Sequence, residues 1–246
     1  PDESEWTTAD DVTFDWGGMS DASGVAGYSY AVDHSPDTTP DTTIDTSDTS
    51  RSYTDLADGA WCLHVRAVDN VGNWGETAHH CAHVDAENPG TPSLSSGTHP
   101  DEDGWYNADD ATLNWTAPGD AGSGVDGYSY ALDHSPTTTP DGALDTDYNS
   151  RTYADLPDGE WYFHVRAVDR AGNPGSADHY RVRIDTANPP APSISSATHP
   201  VEGTCYPGTD PTFSWITPDD ASGIVGYSTA FDASPSTTPD AQVDTS

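Results

Sequence analysis

The stretch LADGAWCLHVRAVDNVGN at residues 56–73 returns at 156–173 as LPDGEWYFHVRAVDRAGN. Within it Trp161, Phe163, Val165 and Ala167 alternate with Tyr162, His164, Arg166 and Val168. That period of two belongs to a strand with one buried face. Working outward, GYSYAVDHSP (27–36) returns as GYSYALDHSP (127–136) and GYSTAFDASP (226–235). THPDEDGWYNADDATLNW (98–115) is echoed by PDESEWTTADDVTFDW (1–16) and THPVEGTCYPGTDPTFSW (198–215). Gly, Pro, Asp and Ser clusters punctuate the strands and no helical stripe appears. The period is about 100 residues, the size of one two-sheet sandwich. The expectation is an all-β chain of tandem β-sandwich modules: residues 1–88 with the opening strand missing, a complete copy at 89–188, and a partial copy at 189–246 lacking its closing half.

Tyr153, Leu156, Asp158-Gly159, Trp161 and the run VRAVDRAGN resemble the closing half of fibronectin type III and bacterial Ig-like surface repeats. IDTANPPAP (184–192) resembles the junction between such repeats. The resemblance extends over essentially the whole chain. It implies Ig-like modules of a bacterial or archaeal extracellular protein: stalks, adhesins, or spacers attached to enzymes.

Charge excludes several partners. There are 42 acidic residues against 7 basic ones, a formal charge of −35, and every basic residue is arginine. Such a chain repels phosphate backbones and anionic headgroups, so nucleic acid and direct membrane contact are not expected partners. Asp dominates the acids, 35 against 7 Glu. In molar salt the Debye length shrinks to roughly 3 Å, which screens self-repulsion, so a lysine-free acidic surface suits a saline environment. Short carboxylates also suit calcium.

Motifs that spell catalysis lack its geometry. GSGVDG (122–127) has dinucleotide-fingerprint spacing, yet a strand rather than a helix follows it. Asp33-His34-Ser35 and Asp133-His134-Ser135 name a triad in letters only, since consecutive strand residues project to opposite faces. Asp145, Asp147 and Asn149 open like a calcium loop but lack the mid-loop glycine and terminal glutamate. The chain is not read as an enzyme, and no organic cofactor is expected.

A turn centred between Val71 and Gly72 sets Cys62 opposite Cys81 and His64 opposite His79, both pairs on the outward face. Three chemistries fit: a disulfide Cys62–Cys81, suited to an oxidising compartment; a zinc site of Cys62, His64, His79 and Cys81; or inert thiols. His164 and His179 recur without cysteines and read as a solvated pair.

Calcium is expected at the junctions, where the incoming chain, the B–C loop and the F–G loop of an Ig-like sandwich gather. The oxygen ligands would be Asp85, Glu87, Asn88, Asp120, Asp169 and Asn173 at one junction, and Asp185, Asn188, Asp219 and Asp220 at the next. Asn114-Trp115-Thr116 forms a glycosylation sequon. The expected role is a structural spacer array of a secreted, cell-surface or filament protein adapted to high salt. Its partners would be neighbouring repeats of its own chain and identical filament subunits. The alternatives are an adhesin or carbohydrate-binding array, with Trp74 as the exposed aromatic, or an accessory region of a secreted hydrolase.

Overall fold

The computed structural model describes residues 5–17, 20–208, 210–234 and 236–245. They form strands, turns and irregular segments, with no helix among the described residues. The fold is all-β. The chain divides into two compact units: Pro1–Gly97, Leu113–Arg151 and Tyr162–Tyr180 in one, and Thr98–Thr112, Thr152–Trp161 and Arg181–Ser246 in the other.

The larger unit contains a whole sandwich. Strands β1 (Trp6–Thr7), β3 (Val25–Asp33), β5 (Gly59–Asp69) and β6 (Ala78–Val84) form a sheet in the order β1-β6-β5-β3. β1 runs parallel to β6, and the other pairs are antiparallel. Facing them, β2 (Val12–Asp15) pairs antiparallel with β4 (Ser50–Tyr53). Alternation supplies the core: Val12, Phe14 and Trp16 from one layer meet Leu63, Val65, Ala67, Ala82 and Val84 from the other. Tyr28 joins them, edge-on to Trp16 at 6.0 Å.

The same unit holds the pairing of β7 (Ser93–Ser96) with β9 (Ala111–Thr116), Ser96 opposite Leu113. It also holds the pairing of β10 (Val125–Asp133) with β12 (Gly159–Asp169). That register copies the earlier one residue for residue: Tyr128 opposite Ala167 as Tyr28 is opposite Ala67, with the same bulge near the start. In the smaller unit β8 (Trp105–Tyr106) lies parallel to the end of β13 (Asp178–Ile184). β14 (Ser193–Ser195) pairs there with β15 (Ser214–Ile216).

The outward face of the β3–β5 layer is not solvated as the composition of its connection suggests. The acidic, Thr-rich segment 34–49 folds back over it. Arg66 donates through Nε and Nη2 to the Asp41 carbonyl at 3.2 and 3.0 Å. Asp45 Oδ2 accepts from the Tyr30 amide at 2.9 Å and from the Ser29 hydroxyl at 3.1 Å. Pro40 is buried beneath the segment, and Ser29 is 1% exposed. The segment 134–149 repeats the arrangement, with Asp145 Oδ2 accepting from Tyr130 N at 2.9 Å and Pro140 buried.

Candidate functional site

The best-built cluster in the larger unit lies where β6 runs out. Asp85 follows Val84, and its amide donates to the Thr7 carbonyl at 2.9 Å, so the strand carries the carboxylate to a fixed place. Asp85 is fully buried. Its Oδ2 accepts from the Ser123 amide at 2.6 Å, and its carbonyl oxygen accepts from Asn173 Nδ2 at 2.9 Å. Asp169, 2% exposed, ends β12 and accepts from Asn173 twice, through the amide and Nδ2, each at 2.7 Å. Asp120 accepts from the Gly124 amide at 2.6 Å.

One ligand oxygen each from Asp85, Asp120 and Asp169 lies within 4.8 Å of the others, a grouping able to hold a metal ion. Among the described residues no ion pair reaches any of the three. At an effective dielectric of about 20, two unit charges so close repel by about 3 kcal/mol. A hard divalent cation with oxygen ligands offsets that repulsion. Glycine makes the approach feasible. A Cβ on Gly122 would overlap the Asp85 carboxylate, and one on Gly175 would meet the Pro89 and Gly90 carbonyls.

The sequence-derived ligand sets are only partly brought together. Asp85, Asp120, Asp169 and Asn173 converge, whereas Glu87 and Asn88 are exposed and outside the grouping. In the smaller unit Asp185 Oδ2 accepts from Ser222 N at 2.9 Å, and the Ser222 hydroxyl donates to Asp220 at 2.9 Å. Hydrogen bonds from Ser222 hold the Asp185 carboxyl below the usual carboxylate range. Asp219 and Asn188 are exposed.

A second constellation sits on the hairpin β5–β6. Cys62 and Cys81 face each other in register and are joined by a disulfide, their Cα atoms 4.0 Å apart. With the sulfurs bonded to each other, neither is the thiolate that zinc takes. Two rungs along, His64 Nδ1 lies 2.7 Å from His79 Nδ1, and His64 Nε2 lies 3.2 Å from Asp33 Oδ1. The second copy repeats this at 2.7 and 3.3 Å with His164, His179 and Asp133. The expectation of a solvated outward pair needs correcting. His64 and His164 are both 0% exposed, because each lies on the central strand of its layer with the aspartate and the folded-back segment over it. Burial pushes the His164 pKa down, against the opposing pull of the Asp133 carboxylate. Hydrogen bonds, first from the Thr138 hydroxyl and then from the Ser135 amide, hold Asp133 below its ordinary value. Sequence reasoning misses the aspartates' role, since the neighbouring histidines draw attention instead. His34 in fact turns away to the Ala60 carbonyl at 2.7 Å and packs on Trp61, and Ser35 gives its amide to Asp33. The three side chains do not form a triad.

The joining of one sandwich's last strand to the B–C and F–G loops of the next copy, with β2–β4 facing β3–β5–β6, is the arrangement of an immunoglobulin-type sandwich. The fold is that of an Ig-like, fibronectin III-like sandwich. No family model matches it, and no curated protein does. Solved structures share a likeness. The fibronectin(III)-like modules of Clostridium thermocellum CbhA align at 16% identity over 73% of this chain and 88% of theirs, with a TM-score of 0.37. The D00-D0 domain of Intimin aligns at 9% over 72% and 94%, with a TM-score of 0.33. The chicken CNTN1 FN1-FN3 domains align at 15% over 86% and 72%, with a TM-score of 0.31. These are likenesses only; the fold rests on the strand order and register.

Elsewhere in the array, Asn114 is exposed on β9, opposite Ser95. Trp74 is half-buried rather than exposed: the Arg66 guanidinium lies 4.8 Å from its ring centroid. Cys205 is a free, exposed thiol.

Proposed function

We propose that the array is a spacer: copies at 1–88, 89–188 and 189–246 of a secreted, cell-surface or filament protein, adapted to high salt, that hold a terminal unit at a distance. The observation that carries this reading is the joint at Asp85. A spacer must resist bending between modules, and here a buried side chain from the end of one copy bonds loops of the next. Gly90 N donates to Gly119 O at 3.0 Å and adds a backbone tie to the same joint. Calcium at Asp85, Asp120, Asp169 and Asn173 completes it, and Asp185 with Asp220 starts an equivalent joint further on. The glycan-binding alternative draws less support, because an arginine occupies one face of Trp74. Localisation outside the cell agrees with a disulfide in the first copy.

Calcium titrated into chelator-treated protein at high monovalent salt tests the reading, followed by heat of binding and hydrodynamic radius. Saturable binding below millimolar calcium with a more extended, less variable chain is expected. Absence of binding, with no change in extension, overturns the calcium joint.

A further inference from the structure

We propose that the β5–β6 hairpin is a redox-gated zinc site: oxidised it is a disulfide staple, and reduced it is a Cys2His2 ligand set of Cys62, His64, His79 and Cys81. The inference is independent of calcium at the joint. Four ligands on alternate rungs of one antiparallel ladder share a face, since Cys62 pairs with Cys81 and His64 with His79, the Leu63–His80 rung between them facing the other way. Two thiolates and two imidazoles are a recurrent tetrahedral zinc set.

The decisive feature is the orientation of His64. Its Nε2–H donates to the Asp33 carboxylate at 3.2 Å, which fixes the tautomer and leaves Nδ1 as a lone pair. That lone pair accepts from His79 Nδ1–H at 2.7 Å. Asp33 is itself anchored by the Thr38 hydroxyl at 2.7 Å and the Ser35 amide at 2.8 Å. A carboxylate behind a ligating imidazole is how zinc-binding histidines are oriented and made more basic. Here that support stands ready, with Nδ1 turned toward the opposite strand.

The chemistry balances. A dithiol reductant gives two electrons to the Cys62–Cys81 bond, becoming its own disulfide and leaving two protein thiols. Zinc then displaces both thiol protons to solvent. His79 moves its proton from Nδ1 to Nε2, a shift its exposure permits, and both Nδ1 lone pairs turn to the metal. The second copy is a built-in control. It keeps Asp133, His164 and His179 in the same geometry, but Tyr162 and Arg181 stand where the sulfurs would be.

The test uses the full chain carrying Cys205→Ser, so that the exposed third thiol contributes nothing. After dithiol reduction and anaerobic removal of the reductant, cobalt(II) is added and then displaced by zinc. The expected result is one cobalt per chain with tetrahedral ligand-field bands and a thiolate charge-transfer band, bleached by one zinc. The oxidised chain shows neither band. His79→Ala, at an exposed position, removes the tetrahedral spectrum, while His179→Ala leaves it unchanged. Asp33→Asn weakens affinity about 10- to 100-fold. The proposal is overturned if the reduced chain gives no tetrahedral spectrum, whether it stays folded by circular dichroism or unfolds. It is equally overturned if His79→Ala leaves the spectrum intact, or if His179→Ala abolishes it.

Discussion

Two joints of the array start alike and end differently. At the first, Asp85 is fully buried and bonded to Ser123, while Asn173 clasps its carbonyl and Asp169 together. At the second, Asp185 is 8% exposed and its bond to Ser222 is 2.9 Å against 2.6 Å. The sequence around the two B–C loops explains part of the difference: Asp120-Ala121-Gly122-Ser123 corresponds to Asp220-Ala221-Ser222, one glycine shorter. Local contact between aspartate and serine therefore forms without the glycine. At the first joint, enclosure uses the space left by the missing Gly122 Cβ and the Asn173 side chain.

Gly122→Ala breaks the first joint most severely. The added methyl collides with the Asp85 carboxylate, and overpacking of this kind costs about 1–3 kcal/mol. Chemical denaturation should show that loss, and the distance between labels at Thr43 and Ala143 should broaden. Gly75→Ala is the matched control: its Cβ would stand 3.6 Å from the Ala67 carbonyl, an ordinary contact, and should change little.

Asn173→Ala comes next. It removes the side-chain donor shared by Asp85 O and Asp169 Oδ2, so a loss of about 1–2 kcal/mol is expected. Asn73→Ala in the first copy, where the side chain serves only Asp69 at an exposed turn, should lose less than half as much by the same measurement. Equal losses would mean that the clasp adds nothing to an ordinary turn.

A smaller effect separates the two aspartates in calcium binding. Asp85→Asn should weaken calcium by about tenfold by calorimetry, since a charged ligand becomes neutral. Asp185→Asn should leave that isotherm unchanged.

The mildest difference appears in acid. The Asp185 carboxyl is held below its ordinary 3.8, so its contribution to stability is complete above that value. It drains away as pH falls from there through the lowered folded value. The Ser222 amide should lose its hydrogen-bonded chemical shift over that interval in a proton NMR titration. A Ser222 shift that follows the ordinary carboxylate value would remove the distinction.

The strands and their register are legible in the sequence because each hairpin carries its own ruler: Asp69, Gly72 and Asn73 force the turn, and alternation then fixes Cys62 against Cys81. What lies hidden is the second burial layer. A segment composed of Asp, Thr, Ser and Pro reads as solvated, yet Asp45 commits its carboxylate to Ser29 and Tyr30, and Pro40 is covered. Composition reports the polarity of side chains but not whether partners satisfy them. The partner of Asp33 is also out of reach, because His64 lies 31 positions away whereas His34 stands beside it. Asp85, Asp120, Asp169 and Asn173 are recognisable in sequence as oxygen donors. Gly122 reads there only as a turn, since no pattern reports what a glycine leaves room for.

The register shared by the β3–β5 and β10–β12 pairs has a kinetic consequence. Strands that match rung for rung, Tyr28 on Ala67 and Tyr128 on Ala167, are interchangeable partners. A chain refolding all at once from denaturant can close β3 on β12, and such exchange between similar neighbours is a characteristic failure of repeat proteins. Emergence from the ribosome one copy at a time avoids it by offering each strand its own mate first. The Cys62–Cys81 bond adds a second safeguard. A hairpin assembled from the wrong copies sets a cysteine against Arg181 or Tyr162, and it cannot be sealed. Oxidation between Cys62 and Cys81 thus locks the correctly paired first sandwich.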